Sequence, residues 1–365
     1  MPPNIPASLA IYIQACLEYR ASTLITSILN TPSTWLVLRM VYAALYGAAE
    51  DSAALGQYTA PGGNTTTTTT TTNNNNETRP VIFVSLLRSL SLWVEMGRKV
   101  GLDIPLLLKR KSIIYIDGMS LDGGVAPSSS GTSEVSTLPT LKLKSLSLRD
   151  IQEAVTTGLR TLSSTSTPTN TSAATTLPRS TTSGALTPRI PLPPSSSSTS
   201  RTSAPTATST TPLPTTMSTS GPLIFIDGVD FILASQPSVT PSTLDSFLGA
   251  LRTQGAHPLV VTGQADAPLL HSAVSGDGDV AVGGATPLER AHAHFMTTQA
   301  HQSRWVWQLR GLDTGSAKDV TGVMRVSRGG SMDFDEEDAA GSLTDIERLY
   351  QLKGDGSVRI WSRGE

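Results

Sequence analysis

LIFIDGVDFILA, Leu223 to Ala234, is the stretch whose reading decides the fold. It is an apolar β-run ending in Asp227-Gly228. A buried strand that delivers an aspartate to its carboxyl end is how nucleotide-hydrolysing α/β domains present a Walker-B-type acid. The chain contains no Gly-Lys dipeptide, so a phosphate-cradling G-x-x-x-x-G-K-[ST] loop is impossible. A hydrolase-like strand without a phosphate grip points to an assembly subunit rather than an ordinary enzyme.

Outward from this strand, β-like and helical signals alternate, the pattern of a mostly parallel α/β sheet. Strands are expected at Leu24–Leu29, Val81–Leu87, Ser112–Asp117 and Pro258–Thr262. Helices are expected through Leu36, Met40, Ala44 and Leu45, through Leu92, Trp93, Met96 and Val100, and through Leu148, Ile151, Val155 and Leu159, the last opened by a Ser147/Asp150 capping box. Two more follow through Leu244, Phe247, Leu248 and Leu251 and over Leu288–Gln302. Thr31-Pro32, Thr240-Pro241 and Thr286-Pro287 read as helix starts, because threonine supplies the cap acceptor and proline's missing N–H costs nothing at the first helical position. Glu289 completes a reciprocal cap in the last. Beyond Arg304 the side chains alternate as in half-exposed antiparallel strands, with Asp355-Gly356 as a two-residue hairpin turn. A parallel sheet followed by antiparallel strands is the layout of RecA-like domains.

The 365 residues carry a formal charge of −2 and one cysteine. Bulk attraction to nucleic acid is therefore absent and any such binding needs a local patch. A lone Cys16 excludes a disulfide framework and a cysteine-based zinc site, and reads as a buried thiol. No stretch reaches the ~18 apolar residues of a membrane span, and the N-terminus lacks a basic region before its short apolar run, so a soluble intracellular protein is expected. From 161 to 220 the sequence is almost wholly Ser, Thr, Pro, Ala and Leu, too poor in apolar surface to offset its ordering entropy. It reads as a disordered insert, as do 51–80, 122–139 and 275–285, which leaves a single interrupted domain.

TPLERAHAHFMTTQAHQSRWVWQL followed by RGLDTGSAKDVTGVMRVSRGG (Thr286 to Gly330) resembles the fungal Elongator complex protein 6 family, as do VIFVSLLRS, SIIYIDGMS and the C-terminal GDGSVRIWSRG. The resemblance spans nearly all of the chain outside the inserts. It implies a RecA-like three-layer α/β domain with a degenerate P-loop. It also implies a hetero-hexameric ring with Elongator proteins 4 and 5, serving the catalytic Elongator subcomplex in wobble-uridine modification of tRNA, with tRNA bound by the assembled ring in cytoplasm and nucleus.

The residues themselves assign no catalytic, cofactor-binding or metal position. Where a Walker A loop would follow the first strand, the chain reads SILNTPSTW, Ser27 to Trp35. Ser33-Thr34 stands near the place of the Lys-Ser/Thr pair, with no glycine for an amide nest and no lysine for a γ-phosphate. Asp117 and Asp227 are Walker-B-like positions that could hold Mg²⁺, yet an aspartate followed by glycine at a strand end more often caps a turn. His292, His294 and His301 lack the spacing and nearby carboxylates of a tetrahedral site and read as solvated or packing histidines. No G-x-S-x-G elbow supports Ser/His/Asp catalysis. Arg304, Arg310, Lys318, Arg325 and Arg328 suit phosphate contact or inter-subunit pairing, with 312–321 as the loop concerned; a solvated loop balanced by Asp313 and Asp319 is the alternative. Two rival functions remain at this point, an active RecA-type hydrolase with a non-standard phosphate site and a generic scaffold.

Overall fold

The structure, a computed structural model, describes residues 5–48, 79–121, 138–165, 221–254, 257–274, 285–312, 315, 317–330 and 343–364. In chain order the elements are α1 (Ala7–Cys16), β1 (Ser22–Ser27), α2 (Thr34–Tyr46), β2 (Val81–Ser85), α3 (Leu90–Lys99), α4 (Ile104–Lys109), β3 (Ile113–Asp117), β4 (Leu141–Lys142), α5 (Leu148–Thr165), β5 (Leu223–Asp227), α6 (Phe231–Ser235), α7 (Pro241–Thr253), β6 (Leu259–Gln264), α8 (Ala267–Val274), α9 (Pro287–Gln302), β7 (Trp305–Arg310), β8 (Gly322–Arg328), β9 (Ile346–Leu352) and β10 (Val358–Trp361). All described residues belong to one compact unit. The four expected inserts fall almost wholly outside them, although α5 runs on to Thr165.

The strands form one mixed ten-stranded sheet in the order β10-β9-β8-β7-β1-β6-β5-β2-β3-β4. From β7 to β4 every pairing is parallel, and β7 to β10 are antiparallel. Period-two alternation divides the parallel strands between two cores. Phe83, Leu223 and Phe225 face α1 to α4, whereas Ile82, Val84, Ile224 and Ile226 face α5 to α9. A strand covered on both faces has no polar side to show, which is why LIFID reads as continuously apolar. The run quoted at the outset is half strand: Phe231 to Ala234 belong to α6, after a turn in which Gly228 adopts φ +73°.

Two of the three Thr-Pro helix starts are realised. The Thr240 hydroxyl accepts from the Thr243 amide at 3.2 Å, and Thr286 and Glu289 form the full reciprocal box. The third is not. Thr31 instead donates its hydroxyl to the Leu309 carbonyl at 3.1 Å, and α2 begins three residues later with Ser33 at its cap making no side-chain bond. The Ser147 hydroxyl caps the Asp150 amide at 3.2 Å, but the Asp150 carboxylate takes the Ser145 hydroxyl at 2.6 Å, so only half of that box forms. The β9–β10 connection is also longer than expected. Lys353 N–H reaches the Ser357 carbonyl at 2.9 Å, Gly354-Asp355 are the central pair, and Gly356 supplies the left-handed bulge at φ +84°.

The antiparallel strands curl over α2. Tyr350 of β9 packs on Trp35 with ring centroids 5.2 Å apart, and buried Arg39 donates to the Gly356 carbonyl at 2.9 Å. Enclosed by sheet, α1, α3 and this hairpin, α2 buries eleven of its thirteen residues, including Arg39, whose pKa burial lowers to about 10.

Candidate functional site

Parallel strands deliver their carboxyl ends to one edge, where α/β domains hold ligands. Here β3, β2 and β5 bring Asp117, Ser85 and Asp227 into register, side by side. At about 4.8 Å per strand the two aspartates stand roughly 10 Å apart with β2 between them. They do not converge on one ion, and each is engaged locally. Asp117 accepts the Met119 and Ser120 amides at 2.9 and 3.1 Å, closing the turn after β3 as a strand-end aspartate does.

Asp227 is not a turn cap. Its side chain is fully buried, and Oδ1 accepts from the Arg88 guanidinium and from the Thr262 hydroxyl at 3.0 Å, while Oδ2 lies 3.3 Å from the Ser85 hydroxyl. Thr262 in turn accepts the Gly228 amide at 2.8 Å. Ser85 lies nearer the Arg88 carbonyl, at 2.7 Å, and accepts from Trp93 Nε1 at 3.0 Å. The guanidinium sits over the Trp93 ring, 5.8 Å from its centroid. Burial pushes the Asp227 carboxyl above the usual carboxylate range, with Arg88, Thr262 and Ser85 pulling the other way. Chemically this is a neutralised acid inside a closed network. Sequence reading missed Arg88, which lies three residues beyond Ser85 in the turn after β2, because only the pairing of β2 with β5 brings it to Asp227.

The SILNTPSTW segment is packed rather than open. Thr31, Ser33 and Thr34 are buried, the Thr31 amide donates to the Ile28 carbonyl at 2.9 Å, and the Ser33 carbonyl receives Leu36 and Val37 at 3.0 Å. Tyr350 and Thr31 crowd the same place: a Cβ built on Gly322 would lie 3.0 Å from the tyrosine oxygen and 3.1 Å from the threonine methyl. Leu29, Asn30 and Pro32 reach solvent, and the Leu29 amide is tethered to Asp266 at 3.2 Å.

The structure adds a second buried pair at this edge. Asp230 accepts the Gln264 amide at 3.2 Å and lies 3.9 Å from His292 Nδ1, whose Nε2 is 2.9 Å from the Gln264 carbonyl. Burial raises the Asp230 pKa, opposed by the Gln264 amide and the His292 ring. His292 is thus a packing histidine with a carboxylate neighbour that its own helix does not supply. Among the described residues no group of three or more His, Cys, Asp or Glu is assembled for a metal ion. Cys16 is fully buried, accepts from Trp307 Nε1 at 3.2 Å, and has its pKa pushed by burial to about 12.

The five expected basic positions do not form one patch. Arg304 and Arg310 stand at opposite ends of β7, some 20 Å apart along a strand. Arg304 pairs with Glu18 at 2.9 Å, Arg310 with Glu347 at 3.2 Å and Arg325 with Asp345 at 3.6 Å. Arg328 lies over Trp305 and donates to the Leu343 carbonyl at 3.0 Å. Lys318 is exposed beside the Ala317–Val320 bridge, in a loop of which residues 313, 314 and 316 are outside the described set. No described helix is long and apolar enough to cross a membrane. No protein-family model matches the chain, and no curated protein matches it.

Proposed function

We propose that the chain is a non-catalytic subunit of RecA-like fold with a degenerate P-loop, working in a hetero-hexameric Elongator ring with Elongator proteins 4 and 5 that binds tRNA and supports wobble-uridine modification. The resemblance of Thr286–Gly330 and its companion blocks carries the identity of the assembly, and the mixed sheet, parallel then antiparallel, agrees with the fold it implies. The observation that supports a non-hydrolytic role is the packing of the β1–α2 turn. A phosphate needs open amides at a helix N-terminus. Here Thr31, Ser33 and Thr34 are buried with Tyr350 packed on Trp35 beside them, and the acid that would serve a magnesium ion is held by Arg88.

The rival is a nucleotide hydrolase using another phosphate site. Titrating the purified chain with Mg-ATP and following phosphate release separates the two: the proposal predicts neither binding heat nor turnover. Turnover that Asp227→Asn abolishes without lowering the melting temperature would select the hydrolase.

A further inference from the structure

The end of α3, the start of α4 and the β9–β10 turn meet at one surface, and α4, six residues long, ends only about 9 Å from its start. The Leu102 amide donates to the Gly97 carbonyl at 2.8 Å, and a Cβ on Gly97 would strike Ile104 at 2.8 Å, so α4 starts directly against the last turn of α3. From the other side, Gly356 approaches the Lys99 backbone so closely that an added Cβ would lie 3.0 Å from its carbonyl oxygen. Arg98, Lys99, Lys109, Arg110, Lys111 and Lys353 are all exposed here. Nearby acids are Glu95, Asp103 and Asp355. Of these, Asp103 caps the Leu106 amide at 3.1 Å and Asp355 binds Ser357, which leaves Glu95 to pair with Lys99 at 3.6 Å. Among the described residues, Lys353 lies in the field of Asp355, and Arg98, Lys109, Arg110 and Lys111 form no ion pair within 4 Å.

Helix dipoles account for part of this, because Arg98, Lys99 and Lys109 lie in the last turns of α3 and α4. They do not account for Arg110 and Lys111 beyond α4, or for Lys353 on a different element. Lys111 holds φ +57°, a left-handed conformation that turns the chain sharply at the end of α4. A chain with net charge −2 has thus placed six exposed cations and three acids along the α3–α4 pair and the turn packed against it. Cations distributed over a rigid surface suit phosphates spaced along a strand. A membrane surface would also need an apolar face to insert, and on α4 only Leu106 is exposed.

We propose that this surface binds the phosphate backbone of RNA, an inference that rests on the tRNA-linked reading above for its class of polyanion. The test measures anisotropy of a fluorescein-labelled transcribed tRNA with the full-length chain, alone and in its assembly, between about 50 and 200 mM salt. The variant is Lys109→Ala/Arg110→Ala/Lys111→Asn, asparagine being chosen because it tolerates the left-handed backbone. Arg160→Ala/Arg290→Ala, exposed positions on α5 and α9 across the sheet, is the control, and urea midpoints check folding. The expected result is about tenfold weaker binding by the triple variant and a log–log salt slope shallower by roughly 2, three contacts at about 0.7 each, with the control unchanged. If the triple variant keeps wild-type affinity and slope, the surface is wrong while the ring reading stands. If the wild type binds no RNA in either form, both fail. Binding to phosphatidylserine vesicles without RNA binding assigns the surface to a membrane and overturns the proposal.

Discussion

Asp227 and Arg88 carry the account at the scale of single residues. Removing one partner of a buried ion pair strands the other, at about 3 kcal/mol or more, whereas removing both costs less. Arg88→Met is expected to lower unfolding free energy by about 3 kcal/mol, with Arg88→Met/Asp227→Asn recovering a substantial part; urea denaturation measures both. His257 supplies a pH dependence. Burial lowers its pKa below the usual imidazole value, so the unfolded chain takes up this proton first as pH falls. Its contribution to stability is therefore present above about pH 6.5 and lost as pH drops from there toward the folded pKa. The stability difference between wild type and His257→Gln should shrink over that window, read from urea midpoints at stepped pH. The Arg88–Asp227 partnership was not legible in the linear chain. Arg88 and Asp227 are 139 residues apart, and nothing in FIDGVD or SLLRS announces that adjacent strands will juxtapose them.

At the scale of elements, legibility followed the strength of the local signal. Thr240-Pro241 and Thr286-Pro287 begin helices as expected, since each threonine finds its acceptor role within the next turn. Thr31 does not, because β7 passes close enough for the Leu309 carbonyl to take its hydroxyl, a tertiary contact that overrides the local cap. The contrast can be measured. Thr286→Ala should cost about 1 kcal/mol, the usual loss on removing an N-cap acceptor. Ser33→Ala, at a cap position whose hydroxyl has no partner, should cost close to nothing or stabilise slightly. Chemical denaturation resolves the two. The elements missed, α1, α4, α6, α8 and β4, are short or nearly uniformly apolar, as in ASLAIYIQAC and IPLLLK, and so show no periodicity to read.

At the scale of the whole molecule, the strand-and-helix alternation was readable and the wrapping was not. Separate β-signals said that a parallel sheet gives way to antiparallel strands. They did not say that β9 and β10 would curl over α2, set Tyr350 against Trp35 and leave Thr31, Ser33 and Thr34 buried at the start of that helix. That wrapping makes α2 a core element rather than the lip of a nucleotide pocket, and it directs attention to outer surfaces and partners. The most direct measurement is purification of the tagged chain from its native cells with mass-spectrometric identification of its stoichiometric partners. The account predicts Elongator proteins 4 and 5 in equal amounts with it; a chain recovered alone, or with other partners and no Elongator subunit, would contradict it.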